Sequence, residues 1–167
     1  GMRPHDIAIL LKIASKGGDS WLMKDLAQEL KISASEISES INRSIIGGLI
    51  SNDKKSLKKL ALLEFLKSGL RHVYPQQPGS ITRGLTTAIS APPLNSEFMS
   101  EEKFVWPYGK GNSRGQAIEP LHSNTPEACL NDTKYYELMA LTDAIRIGKV
   151  REQNMAFELL KERIENA

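Results

Sequence analysis

The stretch Leu26–Ile50, LAQELKISASEISESINRSIIGGLI, decides the reading of the fold. Leu26, Ala27 and Leu30 recur at the spacing of a single helix face, so they mark a short helix that buries one side. Lys31 and Ile32 leave room only for a tight turn. Ser33 is a capping residue, and Glu36 lies where a capping box needs its acid. The Ser33 hydroxyl meets the Glu36 N–H, the carboxylate reaches back to the Ser33 N–H, and such a cap stabilises by about 1 kcal/mol. Ile37, Ile41 and Ile45 then stack on one face of a second helix, expected over residues 34–46. Gly47 and Gly48 end it before Leu49 and Ile50 turn extended.

Working outward, Pro4 suits a first helical turn, and Ile7, Leu10, Leu11 and Ala14 follow on one stripe as far as Gly17-Gly18. Asp19–Trp21 is a short extended link. The helix that starts near Met23 has the apolar Leu22 at its cap position, so Asp19 or Ser20 must cap it or the cap is missing. Past Ile50, Ser51, Asn52 and Asp53 are turn residues, and only a short return strand fits before Leu57. A fourth helix is expected over Leu57–Ser68, carrying Leu60, Leu63, Phe65 and Leu66, with Gly69 as its stop.

Composition shifts at Leu70. As far as Thr125 the chain is rich in Pro, Gly, Ser, Thr and Asn, yet it also carries Tyr74, Ile81, Phe98, Phe104, Val105 and Trp106. A disordered linker lacks such large apolar groups, so an irregular but ordered segment is expected, with short strands at Leu70–Tyr74 and Phe104–Trp106. Two helices close the chain. Asp132 or Thr133 caps the first, which runs to Ile147 with Leu138, Leu141 and Ile145 on one face. The second, over residues 149–165, places Ala156, Phe157, Leu160 and Ile164 on one stripe and forms with the first a packing or dimerisation unit.

The chain has 167 residues, 40% hydrophobic and 25% charged, with a net charge of +2. Those are ordinary values for a globular protein, and the mild charge requires any basic surface to be local. No apolar run approaches the ~20 residues of a membrane span. Met2 is followed by Arg3, Pro4, His5 and Asp6, so no signal peptide is expected, and Gly1 reads as the residue left by a cleaved tag. Cys129 is the only cysteine, which fits a reducing cytoplasm. His5, His72 and His122 have no ligand-like spacing, so no metal is expected.

Leu26-Ala27, Ile32-Ser33, Ser35, Ile37-Ser38 and Gly48-Leu49-Ile50, in that order and spacing, resemble the winged helix-turn-helix of bacterial regulators, closest to the MarR group. The resemblance covers residues 4–66. It implies a helix-turn-helix that sets its second helix in the major groove of double-stranded DNA, and a wing, here abbreviated, against the flanking backbone. On the outer face of that helix lie Ser35, Glu36, Glu39, Asn42 and Arg43, with Ser38 and Ser40 oblique. Arg43 would pair bidentately with guanine and Asn42 with adenine or phosphate, while Ser33, Ser35, Ser38 and Ser40 donate to phosphate or base edges. Lys31 in the turn, and Lys54, Lys55, Lys58 and Lys59 where the wing meets the fourth helix, would hold phosphates. Glu36 is explained by the capping box. Glu39 is not, and in a groove it would have to accept from a cytosine amine.

Other features carry less. Arg83-Gly84 and Arg114-Gly115 mark a basic groove, an anion site or simply turns, the last being the plainest reading. Gly109–Asn112 resembles a flexible tip and lacks the spacing of a phosphate-binding loop. Trp21, Tyr74, Trp106, Tyr108 and Tyr135 line either an effector pocket or the core, and the core is the commoner use. The acidic neighbours Glu127 and Asp132 argue that Cys129 is structural and not a redox thiol. No nucleophile elbow, metal cluster or acid pair suggests an enzyme, and no cofactor is expected.

The expected fold is therefore mainly α: a winged helix over residues 2–69, an irregular, partly extended segment over 70–130, and a helical pair over 131–167. The expected function is a cytoplasmic DNA-binding transcriptional regulator, working as a homodimer with or without a small-molecule effector. The alternative is a winged-helix interaction module that docks a partner protein through residues 70–167.

Overall fold

The computed structural model describes residues 1–167. Helix α1 (Pro4–Ser15) is its axis. Its sequence predicts one buried stripe, but every residue from Asp6 to Ala14 is buried, because α2 (Met23–Leu30), α3 (Ala34–Ile46) and α7 (Thr133–Ile147) all pack on it. Burial on all sides forces its two charged residues to find partners. Asp6 meets Arg43 and Ser40, and Lys12 meets Asp132 at 2.5 Å.

Helix α2 starts at Leu22 without any side-chain cap; Ser20 Oγ donates to Asp19 instead, at 3.3 Å. It ends because Lys31 adopts the left-handed region, φ 56°, which is uncommon for a residue other than Gly. That single residue turns the chain so that Ser33 caps α3, its Oγ accepting from the Glu36 N–H at 3.2 Å. Only this half of the expected capping box forms, since the Glu36 carboxylate turns away to Arg43 and His5.

After α3 the chain makes one antiparallel bridge, Ile50 to Leu57, around a loop at residues 51–56. Lys58 N donates to Leu49 O (2.8 Å) and Leu57 N to Gly18 O (2.7 Å), so the link between α1 and α2 braces the loop. With Leu57 held in that bridge, α4 begins at Lys59 and runs to Ser68. Leu62, Leu63 and Leu66 are buried, while Leu60 is 73% exposed. The strand expected over Leu70–Tyr74 is instead a helical turn, α5 (Leu70–Val73): the Gly69 carbonyl accepts from both His72 N and Val73 N, which overrides the β preference of Val73 and Tyr74.

The middle segment holds three short strands closed on one another: β1 (Ile81–Thr86), β2 (Phe104–Pro107) and β3 (Ser113–Ala117). β1 is antiparallel to both neighbours, and β2 and β3 are parallel. β2 lies where its apolar residues predict it. β1 and β3 lack an apolar alternation because so tight a closure has no room for side chains at its centre. A Cβ at Gly84 would collide with the Trp106 carbonyl, and one at Gly115 with that of Lys103.

Helix α6 (Thr125–Leu130) precedes α7, which Asp132 caps by accepting from Tyr135 N at 3.0 Å. α7 was expected to bury one face, but all residues from Leu138 to Arg146 are buried, with α1, α8 (Val150–Glu165) and the 3-10 turn Ala88–Ser90 around it. Asp143 on α7 accepts from Thr87 Oγ1 (2.8 Å), Trp106 Nε1 (2.6 Å) and Arg146 Nη1 (2.9 Å), and so fastens the strands to the helices. One apolar core runs through Ile7, Leu62, Trp106, Leu141 and Leu160, joining all three parts of the chain. No helix is long and apolar enough to cross a membrane.

Candidate nucleic-acid interface

Ile37 and Ile41 anchor α3 in the core, and Ile45 is half-buried beside them. That orientation leaves Ser35, Glu39, Asn42 and Ile46 on one exposed stripe, with Ser38 half-exposed along its edge and Ser33 exposed at its start. Ile46 is 88% exposed. Two residues expected on this face are elsewhere. Ser40 is buried and donates to Asp6 Oδ1 at 2.6 Å. Arg43 points into the angle between α1 and α3, with Nε 2.9 Å from Asp6 Oδ2 and Nη2 2.8 Å from Asp6 Oδ1. The same Nη2 donates to Glu36 Oε1 at 2.5 Å. The fork that would read a guanine already holds a buried carboxylate, so the stripe carries no free cation.

The charges in this angle hold one another ionised. Burial pushes the Asp6 carboxyl up, but hydrogen bonds from Arg43, Ser40 and the Arg3 N–H outweigh it, and the net shift is downward. Arg43, with His5 next to it, draws Glu36 down to about 2. Asp6 in turn raises Arg43 further above its ordinary value. His5, Asp6 and Glu36 bring ligand atoms within 4.8 Å of one another, a spacing a divalent cation accepts. The Arg43 guanidinium already supplies the positive charge between the two carboxylates.

The lysine loop is different. Lys54, Lys55 and Lys58 are exposed and Lys59 is half-buried, its stem lying against Gly18. None of the four forms an ion pair, whereas Arg3, Lys12, Lys16, Lys31, Arg43, Arg146 and Arg163 all do. The nearby acid, Asp53, is occupied by Ser51 Oγ (2.6 Å) and the Lys55 N–H (3.0 Å). Lys31 is exposed but paired with Glu127. That pair belongs to a cover over the α2–α3 turn that the sequence does not announce. His122 Nε2 donates to Leu30 O (3.1 Å), and Asn124 Nδ2 to Lys31 O (3.3 Å). Burial pulls His122 below its ordinary value, only partly offset by the Leu30 carbonyl.

Trp106 and Tyr135 are fully enclosed in the core and line no effector pocket. Cys129 is buried as well, which pushes its thiol up and leaves it protonated and inert. A polar cleft of about 470 Å³ lies between α2, α6 and the β2–β3 tip, lined by Lys12, Glu29, Lys31, Tyr108, Glu127 and Asp132.

Sequence reasoning missed Asp6 as the partner of Arg43. The available signal was an acid that opens the apolar run Ile7–Leu11. No protein-family model, curated protein or solved structure matches the chain.

Proposed function

We propose that residues 2–69 work as an abbreviated winged helix-turn-helix on double-stranded DNA, and that the protein is a transcriptional regulator. The observation that carries this reading is the lysine loop. Lys54, Lys55 and Lys58 are exposed and unpaired beyond the end of a helix that presents Ser35 and Asn42 outward. Lysines so placed bind phosphates as point charges, and Asn42, Ser35 and Ser38 are the groups left to meet base edges. The bridge Ile50–Leu57, braced by Gly18, is the whole of the wing. Two copies on paired half-sites would supply the specificity that one short helix lacks.

A second reading has its own support. With Arg43 withdrawn, the α3 stripe holds Glu39 and the 88% exposed Ile46, which suits a protein partner better than a phosphate backbone.

Retention of fragmented genomic DNA by the purified protein, at low and near-physiological salt, separates the two. The DNA reading expects selective enrichment, relaxed by Asn42→Ala and weakened across all fragments by Ala at Lys54, Lys55 and Lys58. No retention even at low salt would overturn it in favour of a protein partner.

A further inference from the structure

The two Arg-Gly pairs singled out in the sequence lie side by side. Arg83 on β1 and Arg114 on β3 are register partners in an antiparallel pair, so their side chains leave the same face with Cβ atoms about 5 Å apart. Each glycine fills the crowded centre of the closed sheet while the arginine before it stands exposed. Like charges directly opposite one another destabilise a sheet. Here neither arginine forms an ion pair, and the strand residues 81–86, 104–107 and 113–117 contain Arg83 and Arg114 but no acid. Arg83 Nη1 donates to Gly111 O at 3.3 Å, which orients its guanidinium and ties it to the β2–β3 tip. Tyr108 of that tip lines the same cleft as Lys31, the residue at which the chain turns into α3.

Two exposed planar forks on one face match the geometry of a phosphate group. We propose that Arg83 and Arg114 form a phosphate-binding pair that grips the phosphodiester backbone of nucleic acid. The proposal rests on the DNA reading for its occupant and on the sheet geometry for its site.

The test compares the wild-type chain with Arg83→Gln/Arg114→Gln and with Arg83→Lys/Arg114→Lys. Each is bound to a short random-sequence duplex over a range of salt, and the arginine Nε–H signals are followed by NMR with the duplex and with tripolyphosphate. Neither variant should melt below the wild type, since both side chains are exposed, and the glutamine variant, relieved of two opposed like charges, should melt at or slightly above it. The glutamine variant should lower the salt slope by about 2, so that a fourfold rise in salt costs it about tenfold less affinity than the wild type. The lysine variant should keep the slope but bind more weakly, having lost the fork. The Nε signals of Arg83 and Arg114 should shift with either probe. Equal slopes and affinities for wild type and glutamine variant would overturn the arginine pair and leave the lysine loop as the DNA contact. Shifts with tripolyphosphate in a protein that retains no duplex would overturn nucleic acid as the occupant, along with the DNA reading. No shift with either probe would overturn the site itself.

Discussion

Arg43 and Asp6 form a two-bond fork between α3 and α1, with Nε to Oδ2 at 2.9 Å and Nη2 to Oδ1 at 2.8 Å, around a carboxylate that is wholly buried. An arginine on the exposed side of a helix after a tight turn reads naturally as a base contact. Here it fixes the angle at which α3 leaves α1, and it decides which residues α3 presents outward.

Arg43→Ala should therefore act on stability before it acts on any ligand. Removing the cation strands Asp6 in the core, a change that costs about 3–5 kcal/mol. Urea unfolding measures it directly. Stability within about 0.5 kcal/mol of wild type, the usual range for an exposed substitution, would show that the fork does not anchor α3.

The same cluster predicts an acid-sensitive fold. Asp6 and Glu36 both titrate below their ordinary values, so at low pH the unfolded chain binds more protons than the folded one. Their contribution is complete at neutral pH and is lost as pH falls from about 4.5 toward about 2 for Glu36. Unfolding free energies measured down this range should fall more steeply for the wild type than for Glu36→Gln. Parallel curves would contradict the coupling.

Asp143 should hold the closed sheet to α7. Trp106→Phe removes a donor at 2.6 Å from the Asp143 carboxylate and leaves a gap where the larger indole lay, so it should cost at least the ~1.5–3 kcal/mol of a hydrogen bond to a charged group. Asp143→Ala also leaves Arg146 buried without its acid and should cost more, about 3–5 kcal/mol. Amide exchange would show strand protection falling in both variants. Unchanged exchange in β1 and β2 would mean that the apolar core alone holds them.

Asn42→Ala should leave the melt unchanged, since the side chain is exposed, and should reduce discrimination between preferred and random duplexes by about 1–3 kcal/mol. Equal loss on both duplexes would place Asn42 on phosphate.

The helices were legible where apolar spacing is strong. Ile37 and Ile41 on α3, and Leu138, Leu141 and Ile145 on α7, lie inward as their periodicity requires. Strands β1 and β3 were not legible, because Gly84 and Gly115 replace the inward side chains that would have marked them. Leu70–Val73 misled because the helix that ends at Ser68 resumes after Gly69, and the Gly69 carbonyl outweighs local β preference. At the candidate interface the lysines were legible as exposed charge. The withdrawal of Arg43 and Ser40 was not, since it depends on Asp6, far away in sequence, and no local pattern encodes that pairing.

The central claim is best tested by measuring how binding to a random-sequence duplex depends on salt, for the wild type and for the variant with Ala at Lys54, Lys55 and Lys58. If those lysines neutralise phosphates, log affinity should fall linearly with log salt for the wild type, and the variant's slope should be shallower by about 3, roughly 0.9 per lysine. A wild type that shows no retention at low salt, or a variant with an unchanged slope, would contradict the account.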